Sequence, residues 1–498
     1  MYYNSTRNNS VKVTSAEAII QGLSAEGGLF IPETLPVISE EDIVSLGKME
    51  YHERAFLILR KFLTDFDDGE LKSAVKNAYG NKFSAPGVTE LSLLSPETYI
   101  LELFHGPTCA FKDMALQLLP YLMTISAKKH EAVKGKKIAV LTATSGDTGK
   151  AALEGFKDVA DTFVTVFYPE NGVSEMQKRQ MTTQEGSNVR VCAVKGNFDD
   201  CQTGVKEIFT DKDLIRILCE KNMVFSSANS INWGRLAPQI VYYVSAYADL
   251  IEAEEIKYGE KINVCVPTGN FGNILAAYYA HEMGLPINRL ICASNSNNVL
   301  SDCINTGVYD KNRDLILTAS PSMDILVSSN FERLIYHLTN RDDAEVNKLF
   351  TGLKDKGRYE LSPFIREKLS GLFYGGWCGE DETAGTIKEV FDEYSYLLDP
   401  HTAVAYKICS DYKRETGDNL KTVIAATASP YKFCTPVYRA LGGQPDADEF
   451  ITANKLEVLT NTSMPEPLAK TRGMPVRFNG SVGKSDMKKT VAGIIESL

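Results

Sequence analysis

The sequence predicts an α/β fold built on mostly parallel sheets. Three observations carry this: short runs that are apolar throughout, helical patterns set between them, and Ser- or Gly-rich turns where a run gives way to a helix. From about residue 97 the strand candidates are 99–103, 137–142, 162–167, 189–194, 262–266, 290–293 and 422–426. Runs without polar alternation suit a sheet covered on both faces. The helices expected between them are 114–129, 148–159, 174–183, 198–210, 236–251 and 273–283.

Residues 1–95 read as a separate unit. Within it, SAEAIIQGLSAEGGLFIPETLP gives helix, Gly-rich turn, short strand and Pro-bounded loop, and residues 51–80 carry helical periodicity. Residues 96–450 form the expected catalytic core, with a smaller subdomain at about 113–245. Residues 300–395 are mixed and helical, with Gly-rich punctuation at 372–379. Residues 451–498, rich in Pro and Gly, read as an irregular arm that ends in a helix and packs on the core.

A chain of 498 residues and 44% hydrophobic composition can bury a large core. Its net charge of −11 and the lack of any basic run argue against nucleic-acid binding. No apolar stretch of membrane-spanning length is present, and the first residues, MYYNSTRNNSVKV, lack the apolar core of a signal peptide. The ten cysteines are scattered and form no CxxC pair, so reduced thiols in a cytoplasmic protein are expected, without a metal site.

Five segments bear chemistry. HGPTCAFKD, residues 105–113, sets Lys112 among Ala110, Phe111 and Met114, an apolar setting in which an amine can lose its proton and form a Schiff base. A snorkelling surface lysine is the plainer alternative. VPTGNFGNI, residues 266–274, is a Gly-rich turn between strand and helix whose backbone amides suit one phosphate monoester, or simply a tight connection. LTATSGDTGKAAL, residues 141–153, offers the hydroxyls of Thr144, Ser145 and Thr148 to an anion, or uses the first two as helix caps. SSANSINWGR, residues 226–235, collects Asn229, Ser230, Asn232 and Arg235, the last able to clamp an oxyanion, or is simply a helix N-cap followed by a surface arginine. IAATASPYKF, residues 424–433, ends a strand in Thr427, whose hydroxyl falls at the carboxyl end of a sheet, facing a ligand crevice or simply satisfied at the strand end. An imine-forming lysine, a phosphate cradle, an anion turn and a strand-end hydroxyl together describe a pyridoxal phosphate site.

These segments, with YYNSTRNN, EGGLFIPE, KGNFDDCQ, SPSMDILVSSNFERL and DPHTAVAY, resemble the threonine synthases, in the fold-type II group of pyridoxal phosphate enzymes. The resemblance runs nearly end to end. It implies two parallel-sheet α/β domains with an added N-terminal domain. It also implies Lys112 as the Schiff-base lysine, Gly269, Asn270, Phe271, Gly272 and Asn273 around the cofactor phosphate, and Thr427 at the ring nitrogen. Thr148, Asn229, Ser230 and Arg235 fall where the family grips substrate. Asp147 stands where many fold-type II enzymes have Asn beside the phenolic oxygen, which leaves its role open. The implied reaction takes O-phospho-L-homoserine and water to L-threonine and phosphate, in a monomer or homodimer. A related eliminase giving 2-oxobutyrate and a non-catalytic cofactor-binding paralogue are the alternatives. Thr6 and Arg7 read as an anchoring arm and His105 as a brace for its turn.

Overall fold

The computed structural model describes residues 1–144 and 146–497; Ser145, expected among the substrate-binding hydroxyls, lies outside the described residues. Two sheets organise the core. The larger has six strands in the order Phe373–Trp377, Ile287–Ser294, Ile262–Pro267, Thr422–Ala426, Thr98–Glu102 and Glu90–Ser95. All neighbours are parallel except the last pair, an antiparallel hairpin. The smaller has five parallel strands in the order Ser481–Gly483, Val189–Lys195, Thr162–Pro169, Lys137–Ala143 and Met223–Ser226.

The central strands are buried on both faces. Cys265 pairs with Ile291 on one side and Ile424 on the other, and all three are inaccessible. Helices therefore cover both sides, as continuous apolar runs require. The helix Trp233–Glu252 is the structural axis, buried along almost its whole length. Trp233 at its start packs edge-on against Tyr3 and Tyr279, with ring centroids 5.3 and 5.6 Å away, and against Phe62 at 5.6 Å. The N-terminal helices Ser15–Gln21, Tyr51–Phe62 and Asp68–Tyr79 thus share one hydrophobic core with the sheets. Among the described residues no helix is long and apolar enough to cross a membrane. The ten cysteines are free thiols, all buried except Cys219.

Each of the seven expected strands is present. The expected helix 114–129 is instead two helices, Asp113–Leu116 and Leu119–Lys129. Pro120 has no N–H to give the Leu116 carbonyl, so the chain re-enters the helix one turn later. Within these two sheets, four short strands have no counterpart in the sequence reading. Phe373–Trp377 occupies the Gly-rich stretch at 372–379; Gly375 is needed there because a Cβ would lie 2.9 Å from the Ser301 backbone. Glu90–Ser95 falls inside the expected N-terminal unit yet completes the larger sheet, and Met223–Ser226 edges the smaller one. The arm at 451–498 is more regular than expected. Ser481–Gly483 adds a strand beside Val189–Lys195, and the terminal helix Met487–Glu496 packs its Val491 and Ile495 against Val205, Leu214 and Leu218.

Because Val491 is 1% exposed, Val491→Asp places a carboxylate in that core. It is expected to cost more than about 3 kcal/mol in urea unfolding, whereas Lys489→Glu on the exposed side of the same helix should stay within about 0.5 kcal/mol.

Candidate active site

The lysine loop is fixed to the end of the strand Thr422–Ala426. The Phe111 N–H donates to the Thr427 carbonyl at 2.8 Å, the Ser429 N–H to the Cys109 carbonyl at 3.1 Å, and Ala110 and Ala428 form a bridge between them. Buried Asp113 closes the loop from inside by accepting from the Thr108 N–H at 2.8 Å and its hydroxyl at 2.9 Å. His105 bonds Glu102 at 2.7 Å, the bracing role expected of it.

These bonds aim Lys112 at two partners, the Ser322 hydroxyl at 3.1 Å and an Asp147 oxygen at 3.4 Å. Burial lowers the basicity of the amine, the Asp147 charge pulls it back, and the cations of Lys432 and Arg235 push it down again; the net shift is downward. Asp147 begins the helix Asp147–Phe156. Its other oxygen meets the Lys432 ammonium at 2.8 Å and the Gln177 amide at 3.0 Å. The Ser174 N–H donates to Gln177 Oε1, which leaves Gln177 Nε2 to face Asp147. Burial would raise the Asp147 carboxyl, but Lys432 first and Lys112 second hold it below the usual carboxylate range.

Ser322 is itself positioned. Its N–H donates to His401 Nε2 at 3.2 Å, and Asp399 takes the other ring nitrogen at 2.8 Å, so Nδ1 carries the ring proton. Its carbonyl lies 2.4 Å from where a Cβ on Gly269 would sit, so only glycine admits this approach. The Gly-rich turn and the lysine therefore meet through Ser322. Phe271 adopts a left-handed conformation, φ 63°, as it starts the helix Gly272–Glu282, and its ring is locked against Phe331 and Phe373. The Asn270 carbonyl accepts from the Asn330 N–H at 3.1 Å and its side-chain amide at 3.0 Å. Asn273 Oδ1 is held by Tyr242 and Tyr243, which leaves its buried Nδ2 without a partner among the described residues.

The substrate-side residues divide. Arg235 is buried; one nitrogen donates to the Ala228 carbonyl at 2.8 Å, its Nε has no partner among the described residues, and burial brings its pKa down to about 10. Thr144 spends its hydroxyl oxygen on the Gly146 and Gly149 N–H groups, the capping alternative read from the sequence. Thr148 is half-buried on the first turn of its helix, Ser230 half-buried and Asn229 exposed at the turn before Trp233. Thr427 is buried at the strand end.

Three family models match the chain: "Threonine synthase N terminus" over residues 2–79, "Pyridoxal-phosphate dependent enzyme" over 87–428, and "Threonine synthase, C-terminal" over 402–486. A threonine synthase of Pseudomonas aeruginosa is 38% identical, covering 97% of this chain and 100% of that protein. The chain belongs to the threonine synthase family of pyridoxal-phosphate dependent enzymes. The structure of pyridoxal phosphate-bound threonine synthase from Brucella melitensis superposes with a TM-score of 0.88 at 36% identity, over 99% of both chains. Human threonine synthase-like 1 is 42% identical over 436 residues, 86% of this chain; the chain spans 58% of that protein's length.

The family's cofactor, pyridoxal phosphate, fits the residues present. Lys112 offers a largely buried amine of lowered basicity, and the turn at 269–273 offers backbone amides at a helix start beside the Asn273 amide, which has no partner among the described residues. Sequence reasoning gave no role to Ser322, Lys432, Gln177, His401 or Arg333. Buried Arg333 joins three segments, donating to Asn330, to the Phe30 carbonyl at 3.0 Å and to the Ile231 carbonyl at 2.6 Å. Beside it Glu332 takes Thr6 at 2.6 Å and Arg7 at 2.7 Å, so that pair anchors the N-terminal unit behind the site.

Arg235 yields a test of its own. Removing a buried, unpaired charge should leave stability unchanged or raise it. Arg235→Met is therefore expected to melt at or above the wild-type temperature. Inorganic phosphate at 100 times its Kd would stabilise the parent protein by about 2.7 kcal/mol and leave the variant's melting curve unmoved.

Proposed function

We propose that the chain converts O-phospho-L-homoserine and water to L-threonine and phosphate. The observation that carries this is Arg235: a buried guanidinium with no carboxylate partner among the described residues, close enough to Lys112 for its charge to be felt there. A desolvated cation of this kind favours an anionic ligand strongly. A phosphorylated amino acid brings two anionic groups and an amine, and the site has a cation for the former and a reactive amine to exchange with the latter.

When bound, pyridoxal phosphate supplies an electron sink for the electrons released as C–H bonds break beside the amino group. The chain supplies the rest. Lys112 Nζ takes the proton from Cα and, in turn, manages the proton at Cβ, so that phosphate leaves Cγ and water adds at Cβ. Gly269, Asn270, Phe271, Gly272 and Asn273 hold the cofactor phosphate, and Thr427 meets the ring nitrogen with a neutral hydroxyl, which leaves no acid fixed there. Arg235, with Asn229, Ser230, Ser145 and Thr148, grips the substrate's anionic groups, while Thr144 caps the turn that carries Asp147. Asp147 stays ionised beside the amine it faces.

A second reading is an eliminase releasing 2-oxobutyrate, ammonia and phosphate from the same substrate, which would use the same amine and anion-binding groups. Purified protein given O-phospho-L-homoserine decides between them. Threonine and phosphate in equal amounts are expected; 2-oxobutyrate in place of threonine would sink the first reading. Lys112→Ala should lower turnover by at least about 1000-fold with the melting temperature preserved, since proton transfer and nucleophilic roles are lost together. A variant with normal turnover would refute the assignment.

A further inference from the structure

We propose that Lys432 is a positioning residue that draws the charge of Asp147 away from Lys112, leaving Lys112 to act as an amine rather than as half of an ion pair. The inference rests on the reading of Lys112 as the reactive amine. Lys432 is completely buried, a costly place for an ammonium group. Among the described residues it reaches two partners, Asp147 Oδ1 at 2.8 Å and the Thr108 carbonyl at 2.9 Å. Lys112 faces the opposite oxygen, Oδ2, at the longer distance of 3.4 Å. One carboxylate thus serves two ammonium groups, and the nearer, drier one takes the larger share.

Without Lys432, Asp147 would have Lys112 as its one strong cationic partner. A carboxylate paired with an ammonium in a buried site stabilises the protonated form, which is the unreactive one. Lys432 prevents this while keeping Asp147 charged. The other charge acting on Lys112 is Arg235, which works in the same direction as Lys432; Asp113 lies on the far side of the Thr108 carbonyl, held by that residue's own N–H and hydroxyl. The chain places Lys432 in the short helical turn Pro430–Phe433, directly after Thr427, so the segment that ends the central strand also carries the counter-charge.

A merely structural strut would need the Thr108 bond and not the charge. Lys432→Gln keeps an N–H donor and removes the charge; Lys432→Arg keeps the charge; Asp147→Asn removes the anion. The readout is the pH midpoint for acetylation of Lys112 by acetic anhydride, followed by mass spectrometry on full-length protein stripped of cofactor. Lys432→Gln is expected to raise the midpoint by about one pH unit or more, Asp147→Asn to lower it by a similar amount, and Lys432→Arg to leave it near the wild-type value. Folding is checked by thermal melting; if the Gln variant does not fold, Lys432→Met takes its place with the same expected direction. A midpoint unmoved in a folded charge-removing variant, or moved the same way as in Asp147→Asn, overturns the proposal. No substrate enters this measurement. Threonine formation with an unmoved midpoint therefore rejects the role of Lys432 alone, and a moved midpoint without threonine rejects the proposed reaction alone.

Discussion

The short antiparallel ladder between residues 109–111 and 427–429 governs where every reactive group sits. Its bonds, Phe111 to Thr427 and Ser429 to Cys109, are ordinary backbone hydrogen bonds. They join a loop from early in the chain to the carboxyl end of a central strand from late in it. Such strand ends are where α/β sheets open toward ligands. The ladder sets Lys112 beside Thr427 and brings Lys432, a few residues on, to the back of Asp147. If it were lost, the three groups would belong to unrelated segments.

Around that ladder the polar groups are braced in pairs. Asp147 faces Lys112, and Gln177, held by the cap of its own helix, stands behind it. Ser322 faces Lys112, and His401 with Asp399 stands behind it. The Gly-rich turn rests on the same segment, since Gly269 abuts the Ser322 carbonyl and Ser328 bonds the Gly269 carbonyl at 2.8 Å. Buried polar networks hold one geometry when every member has a partner. Among the described residues Arg235 Nε and Asn273 Nδ2 lack a partner, and both lie on residues proposed to bind anions; Gln180 Oε1, behind Thr108, lacks one too.

The parts legible in the sequence were those written locally. Strands such as 162–169 and 262–267 announce themselves because both faces are apolar. FYGGW at 373–377 does not, since two glycines look like a turn until the close approach of Ser301 explains one of them. The three residues at 481–483 are a strand only because Val189–Lys195 offers an edge. The site divides in the same way. Lys112, Asp147 and Arg235 lie in turns whose composition signals chemistry. Ser322 lies in a stretch without periodicity, and Lys432 reads as an ordinary lysine after Pro-Tyr. Its burial is made by Thr108 and Asp147, which arrive from elsewhere in the fold.

Net charge and local charge point opposite ways in this protein. The chain as a whole carries −11, yet Lys112 and Lys432 both converge on Asp147, and the charge of Arg235 is felt at Lys112. Three helices begin there as well, at Asp147, Trp233 and Gly272, each with its positive dipole end, although the Thr144 and Asn232 side chains already take N–H groups at the first two. An acidic exterior would repel anions at long range, but salt screens that field within about 10 Å. Inside the cleft the fixed cations and helix ends act at short range and low dielectric, where they dominate. On the proposed reading, selection of an anionic substrate is a property of how the strand ends and helix starts converge, and composition alone carries no trace of it.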